Sequence, residues 1–388
     1  MTVPHIDARL LIDQVLDEAV KRRASDVHLE PTADGLEIRL RVDGLLETRN
    51  HVDANTGRSM VTRLMVMAHL LTYRLDVPQE GRATVEVPSA SKPIDLRLSI
   101  MPTTHGLRAA VRMPAELVQP RTLTELNLPS GVMAGLEKFA SSDSGMLILT
   151  GPAGSGKTTT IYALLEHIAA TSAGLSIVAL EDPVERDIPG VTQIEVAPFG
   201  ELTYERTLRS ILRQDPQVLM LGEIRDGATA SLAVQAALSG HRLVSTLHAA
   251  SPAGAIARLL EMGVEPYQLT SAIFGIVSQR LLRRLLPSPG LQPPAQPDRP
   301  LKPAASQPAS QYRGRIPVAE FVTMDDALRP AILNRSDAGA IEKIYARQSG
   351  FRPIRAAAGD CIRGGLTDEA EVRRVLGQAP AGSGGAPG

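Results

Sequence analysis

Residues 151–159, Gly-Pro-Ala-Gly-Ser-Gly-Lys-Thr-Thr, satisfy the phosphate-loop pattern at every fixed position. Gly151, Gly154 and Gly156, with Pro152, Ala153 and Ser155 between them, let the backbone curl so that successive N–H groups point at phosphate oxygens. A helix N-terminus behind the loop adds partial positive charge. In this arrangement Lys157 bridges the β- and γ-phosphates, the Thr158 hydroxyl holds Mg²⁺, and Thr159 continues into the helix. The chemistry implied is binding of a nucleoside triphosphate, with ATP and Mg²⁺ as the expected ligands. Three further polar positions follow short apolar runs downstream: Glu181 with Asp182, then Glu223, then His248.

A strand must precede the loop and a helix must follow it. Met146-Leu147-Ile148-Leu149 reads as the buried strand, and Ile161, Leu164, Leu165 and Ile168 recur at helical spacing. The runs Ser176 to Leu180, Val218 to Leu221 and Leu243 to Leu247 read as further buried parallel strands of an α/β sheet. In open α/β sheets the site lies at the carboxyl ends of the strands, so Glu181, Glu223 and His248 should converge on the phosphate loop.

Before the loop the pattern changes. Ile12, Val15, Leu16 and Ala19 predict an amphipathic helix over the first twenty-odd residues. Leu36 to Val42 alternates before an Asp43-Gly44 turn, and Ile94 to Ile100 alternates with Arg97 on the polar face. Ser59 to Leu71, rich in Met and Leu, reads as a core-filling helix. The expected organisation is an α+β domain over 1–114, a linker over 115–130, the nucleotide-binding core over 131–286 and a Pro-rich linker over 287–311. A small C-terminal subdomain over 312–378, with a final helix at Asp368 to Leu376, and a disordered tail over 379–388 complete it. Eight prolines between Pro287 and Pro308 set the second linker apart, because that composition cannot bury a core.

Composition removes several classes. Lys+Arg total 41 against Asp+Glu 42, so no global charge draws the chain to nucleic acid or anionic lipid. An aromatic content of 3% with no Trp offers few base-stacking platforms. Cys361 is the single cysteine, which excludes an intrachain disulfide framework and a cysteine-based zinc cage. No run of 18 apolar residues and no signal-peptide core are present, so the sequence predicts a cytoplasmic protein that meets membrane only through partners.

Four blocks stand in order: the phosphate loop; Leu180-Glu181-Asp182-Pro183-Val184-Glu185; Leu221-Gly222-Glu223-Ile224-Arg225-Asp226; and Gly240-His241 with Ser245-Thr246-Leu247-His248. This set resembles the Walker A, Asp box, Walker B and His box of the ATPases that drive type II secretion and type IV pilus assembly (the GspE/PulE family). Ala24-Ser25-Asp26-Val27-His28-Leu29-Glu30-Pro31 and Gln79-Glu80-Gly81-Arg82 extend the resemblance upstream, and Tyr312-Arg313-Gly314-Arg315 extends it downstream. The resemblance implies a PAS-like α+β domain joined to a RecA-like P-loop motor domain with a small C-terminal helical subdomain, assembled as a homo-hexamer. It makes Glu181 the general base, lets Glu223 organise Mg²⁺ partly through water, and gives His248 the γ-phosphate. Arg82 and Arg97 become fingers that reach a neighbouring subunit's nucleotide; without the resemblance they would be a solvated strand face. Inner-membrane assembly-platform proteins are the implied partners, and the implied location is cytoplasmic and peripheral to the inner membrane.

Three departures from the family pattern stand out. Gln217 occupies a commonly acidic position after Asp215-Pro216. The tetracysteine zinc module that many members carry after the Gln279-Arg280-Leu281 segment is replaced by the proline-rich run, so no zinc is expected. The chain begins directly at the PAS-like domain, which leaves its docking partner open. The leading expectation is a motor powering pseudopilus assembly for type II secretion. A competence or type IV pilus extension or retraction motor is the alternative within the family, and a RecA-like nucleic-acid translocase is the alternative from another class.

Overall fold

The computed structural model describes residues 8–114, 122–172, 174–196, 202–286 and 311–378. The expected proline-rich linker up to residue 310, the tail expected to be disordered and residues 115–121 of the first linker therefore lie outside the described residues. The chain divides into two compact units, residues 1–119 and 120–388.

In the first unit, helix α1 (Ala8–Lys21) precedes strands β1 (Asp26–Pro31), β2 (Leu36–Val42) and β3 (Leu45–Val52). Helix α2 (Ala54–Met67) then leads to β4 (Gln79–Val85), β5 (Ile94–Thr103) and β6 (Gly106–Arg112). The strands form one antiparallel sheet in the order β3-β2-β1-β6-β5-β4. Ile12, Leu16, Met60 and Leu64 from the two helices share a core with Leu29, Ile38, Leu96, Ile100 and Val111 of the sheet. The predicted α+β domain is therefore present, with one helix shifted. Helix α2 starts five residues earlier than Ser59 because the Asp53 side chain accepts from the N–H groups of Asn55 and Thr56. It ends before His69, whose φ of 55° leaves helical space. Strand register sets Arg82 directly opposite Arg97, and Arg97 opposite Arg112.

The second unit opens with α3 (Ser130–Ala140) and carries a sheet of seven strands. Strand β7 (Gly145–Thr150) enters the phosphate loop and α4 (Lys157–Thr171) leaves it. Then follow β8 (Ile177–Glu181), β9 (Thr192–Glu195), α5 (Tyr204–Ile211), β10 (Val218–Leu221), α6 (Gly227–Leu238) and β11 (Arg242–Leu247). Helices α7 (Pro252–Glu261) and α8 (Pro266–Ala272) lead to β12 (Ile273–Leu285), which pairs antiparallel with β13 (Tyr312–Thr323). The sheet order is β13-β12-β7-β11-β10-β8-β9, and every pair except β12 with β13 is parallel. Alternate residues of β7 serve two cores: Met146 and Ile148 meet α6 and α7, while Leu147 and Leu149 meet α3 and α4.

The expected boundary between core and C-terminal subdomain does not separate two bodies here. β13 is the edge strand of the same sheet, and α9 (Leu328–Leu333) and α10 (Ala338–Tyr345) bury Leu328, Ile332, Ile341 and Tyr345 in its core. Helices α11 (Ile354–Arg363) and α12 (Glu369–Leu376) cover the outer end of the β12–β13 ribbon through Leu282, Ile316, Val318, Ala357 and Ala358. The final helix expected at Asp368 to Leu376 coincides with α12, but pairing across the intervening proline-rich stretch is a long-range event that local pattern does not encode.

Candidate active site

The phosphate loop is closed from beneath by its own lysine. Lys157 Nζ donates to the carbonyls of Gly151 and Pro152, both at 2.9 Å, which holds the ammonium inside the curl. Gly151 adopts a φ of 147°, and a Cβ there would lie 2.5 Å from the backbone oxygen of Gln279, so neither its backbone nor its surroundings accept a side chain. Burial lowers the Lys157 pKa, the Glu223 charge opposes that shift, and the Arg280 charge adds to it. Glu223 is thus a carboxylate whose field reaches the loop.

Glu223 follows β10 and sits in a charged cluster. Its Oε2 accepts from Arg225 Nε at 2.9 Å, and its Oε1 lies 3.3 Å from His248 Nε2. Arg225 Nη1 also reaches Asp182 Oδ2 at 3.4 Å, so one guanidinium joins the Asp box to Walker B. The hydrogen bond to Glu223 raises the Arg225 pKa, keeping it cationic. His248 follows β11 with a side chain 49% exposed, open to a ligand on its free side. Backbone ties fix these strand ends: Thr246 Oγ1 donates to Gly222 O at 2.6 Å, and Thr150 Oγ1 to Ala249 O at 2.7 Å.

Glu181 is differently placed. It is 2% exposed, and both carboxylate oxygens are engaged: Oε2 accepts from the Tyr162 hydroxyl of α4, and Oε1 from Gln193 Nε2 of β9 at 2.8 Å. Tyr162 also accepts from the Glu185 N–H at 3.2 Å, and Gln193 Nε2 also donates to Arg186 O at 2.9 Å. Arg186 closes the cluster, lying over the Tyr162 ring and pairing with Glu166. Burial raises the Glu181 pKa, against hydrogen bonds from Tyr162 and Gln193 that lower it. The expectation of a general base thus meets a carboxylate committed to bracing the loop that follows it.

Of the predicted site residues, the structure brings Lys157, Glu223 and His248 together and turns Glu181 inward. His241 is at the opposite end of β11, where Nδ1 contacts Ala236 O at 2.9 Å, so it forms no pair with His248. Gln217, at the amino end of β10, accepts from Ser176 N at 2.7 Å, a contact remote from the carboxyl ends where the site lies. Arg82 and Arg97 belong to the first unit and keep the register described above. The sequence reading missed Tyr162, Gln193, Arg225 and Gln279. Only Arg225 carried a signal, its place two residues after Glu223. Among the described residues no group of three or more His, Cys, Asp or Glu is placed to cage a metal. A hydroxyl at Thr158 and one carboxylate at Glu223 suit Mg²⁺, which keeps most of its waters and binds through few protein groups plus phosphate oxygens.

A parallel sheet that carries a phosphate loop on β7 and an acidic Walker B residue two strands away, after β10, defines a RecA-like P-loop ATPase. The type II/IV secretion system protein family matches residues 6–374, and the chain belongs to that family. It is 38% identical over 383 residues to the type II secretion system protein E of Xanthomonas campestris pv. campestris, covering 94% of this chain and 66% of that protein. With the type II secretion system protein HxcR of Pseudomonas aeruginosa it shares 37% identity, over 94% of this chain and 76% of the relative. The type IV pilus assembly ATPase PilB of Thermus thermophilus is 34% identical over 90% of this chain, which spans 40% of that protein. Among solved structures, the Legionella pneumophila ATPase DotB superposes with a TM-score of 0.71 at 18% identity, covering 96% of this chain and 97% of that one. The pilus retraction motor PilT with bound ADP gives 0.63 at 23%, covering 94% and 96%. At those identities the two structures speak for the fold. No described helix is long and apolar enough to cross a membrane.

Proposed function

We propose that this chain is the ATP-hydrolysing motor of a type II secretion system, working as a ring of six copies on assembly-platform proteins at the cytoplasmic side of the inner membrane. The observation that carries the reading is the convergence of Lys157, Glu223, Arg225 and His248 at one strand edge, in a chain whose relatives of 36–38% identity are named type II secretion proteins. The loop N–H groups and Lys157 bind the phosphates, and Glu223 orients water near the γ-phosphate. Arg225 holds Glu223 and Asp182 in register, and His248 reads whether the γ-phosphate is present. Bound Mg²⁺, held by Thr158 and by Glu223 through water, would neutralise charge on the β- and γ-phosphate oxygens. Glu181 keeps the Asp box in place. Arg82 and Arg97 supply positive charge to a neighbouring copy's nucleotide, a contribution worth about 10³- to 10⁵-fold in rate where an arginine finger acts. The 34% identity to PilB supports a second reading, a pilus assembly motor.

The test has two parts. Purified protein should hydrolyse ATP in Mg²⁺, and the gene should restore secretion to a strain that lacks its own motor. Mixing Arg97→Ala with Glu223→Gln protein should then return part of the activity that each variant lacks, because some interfaces would combine an intact Arg97 with an intact Glu223. Recovery of nothing, with mixed rings shown to form, would return Arg82 and Arg97 to a solvated strand face.

A further inference from the structure

Strand β12 runs parallel to β7, and their last paired residues are Ser278 and Thr150. The next residues of β12, Gln279 and Arg280, therefore stand beside the start of the phosphate loop. Gln279 is 2% exposed and clamps that loop: Nε2 donates to Ser155 O at 2.9 Å, and Oε1 accepts from Thr160 Oγ1 at 3.0 Å. Its role is met by protein groups alone.

Arg280 is held differently. Nη1 donates to Gln279 O and Nη2 to Ala250 O, both at 2.8 Å, and Ala250 lies two residues beyond His248. The guanidinium thus spans from the loop to the segment after the His box, with Nη1 only 3.0 Å from the position a Cβ on Gly151 would take. Among the described residues no carboxylate is within ion-pair distance of it; Glu320 acts on it through space, but its own Oε2 accepts from the Ile354 N–H at 2.8 Å. A guanidinium has five N–H donors, and two acceptors leave most of them available. Arg280 is also a cation facing a second cation, since its charge acts on Lys157. Like charges held out of bulk water repel in a medium of reduced dielectric, a cost that an anion placed between them removes. Burial depresses the Arg280 pKa, and the Glu320 charge opposes that shift.

We propose that Arg280 is a phosphate-binding residue acting in its own chain, contacting the γ-phosphate and so discriminating ATP from ADP. The proposal rests on the ATPase reading and concerns a role distinct from that of Arg82 and Arg97, which belong to another unit. Carbonyl ligands position the planar fork without neutralising it, which leaves its charge for the polyphosphate.

The experiment is isothermal titration of the full chain, with Mg²⁺, by ADP and by a non-hydrolysable ATP analogue. Arg280→Ala should weaken the ATP analogue by roughly 10- to 100-fold, the range for one hydrogen bond to a charged group, and change ADP affinity by less than about threefold. Arg280→Lys, which keeps the charge but loses the fork, should fall between. Gln279→Ala is the control for a disturbed loop and should weaken both nucleotides together. Equal loss of both nucleotides in Arg280→Ala would reduce Arg280 to a structural latch, and no loss of either would remove it from the site; both outcomes overturn the proposal. Wild-type protein that binds neither nucleotide would overturn the ATPase reading itself, a result separable from these.

Discussion

Two carboxylates stand at the carboxyl ends of adjacent parallel strands, Glu181 as the last residue of β8 and Glu223 just after β10, and their surroundings are opposite. Glu223 faces partly exposed partners, the Arg225 guanidinium and the His248 imidazole, and its field reaches Lys157. Glu181 faces neutral donors in a sealed pocket, the Tyr162 hydroxyl and the Gln193 amide. Position at a strand end is therefore necessary for the chemistry but not sufficient. What separates them is access: the Glu181 carboxylate is closed in by protein, whereas Glu223 and its partners remain open to a ligand.

The largest effects should come from the open cluster. Lys157→Ala should lower affinity for ATP by about 10²- to 10³-fold, the cost of deleting one preorganised group that meets phosphate charge, and titration calorimetry reads it directly. Glu223→Gln should keep ATP binding and lose turnover by a similar factor, measured as steady-state phosphate release. Retained turnover in Glu223→Gln would erase the distinction between the two carboxylates.

How much of this was legible beforehand follows from how local each feature is. The phosphate loop and the strands around it could be read because nine adjacent residues and short apolar runs carry the signal. β1 escaped because Val27, His28 and Leu29 are all buried, which removes the alternation that marks a strand. The Glu181 brace escaped because its partners lie 19 residues back and 12 residues on, and neither Tyr nor Gln announces a polar contact. The β12–β13 ribbon escaped because its two strands are separated by the residues richest in proline, where local pattern stops.

A third carboxylate, sealed like Glu181, sharpens the comparison. Glu371 of α12 is fully buried and accepts from Arg283 at 2.8 Å and Arg374 at 2.6 Å. Burial pushes its pKa up, but the hydrogen bonds from Arg374 and Arg283 outweigh that and hold it at about 2. Its folded pKa is depressed, so its stabilisation is complete above the ordinary value of 4.5 and is lost as pH falls toward about 2. At neutral pH that amounts to about 3 kcal/mol, on the order-of-magnitude scale of 1.4 kcal/mol per pKa unit. Glu371→Gln should accordingly lower stability in denaturant titrations at pH 7 and flatten its decline on acidification.

The smallest effect on catalysis, and the one that separates a brace from a base, belongs to Glu181→Gln. A general base contributes about 10²- to 10⁴-fold, so loss of turnover in that range would restore the basic role. A brace predicts less than about tenfold, because Gln keeps the shape and one acceptor oxygen while an N–H group now faces Tyr162 or Gln193. Its signature should be in stability, with a loss of about 1–3 kcal/mol for a buried donor left without an acceptor. The pH dependence gives a second reading. Burial raises the folded pKa of Glu181, so its contribution is greatest when protonated and declines as pH rises past the ordinary 4.5. The stability gap between wild type and Glu181→Gln should therefore narrow with rising pH, whereas the gap for Glu371→Gln should widen. Parallel trends in the two variants would mean that Glu181 is held by charge, as Glu371 is, and the neutral brace of Tyr162 and Gln193 would not account for it.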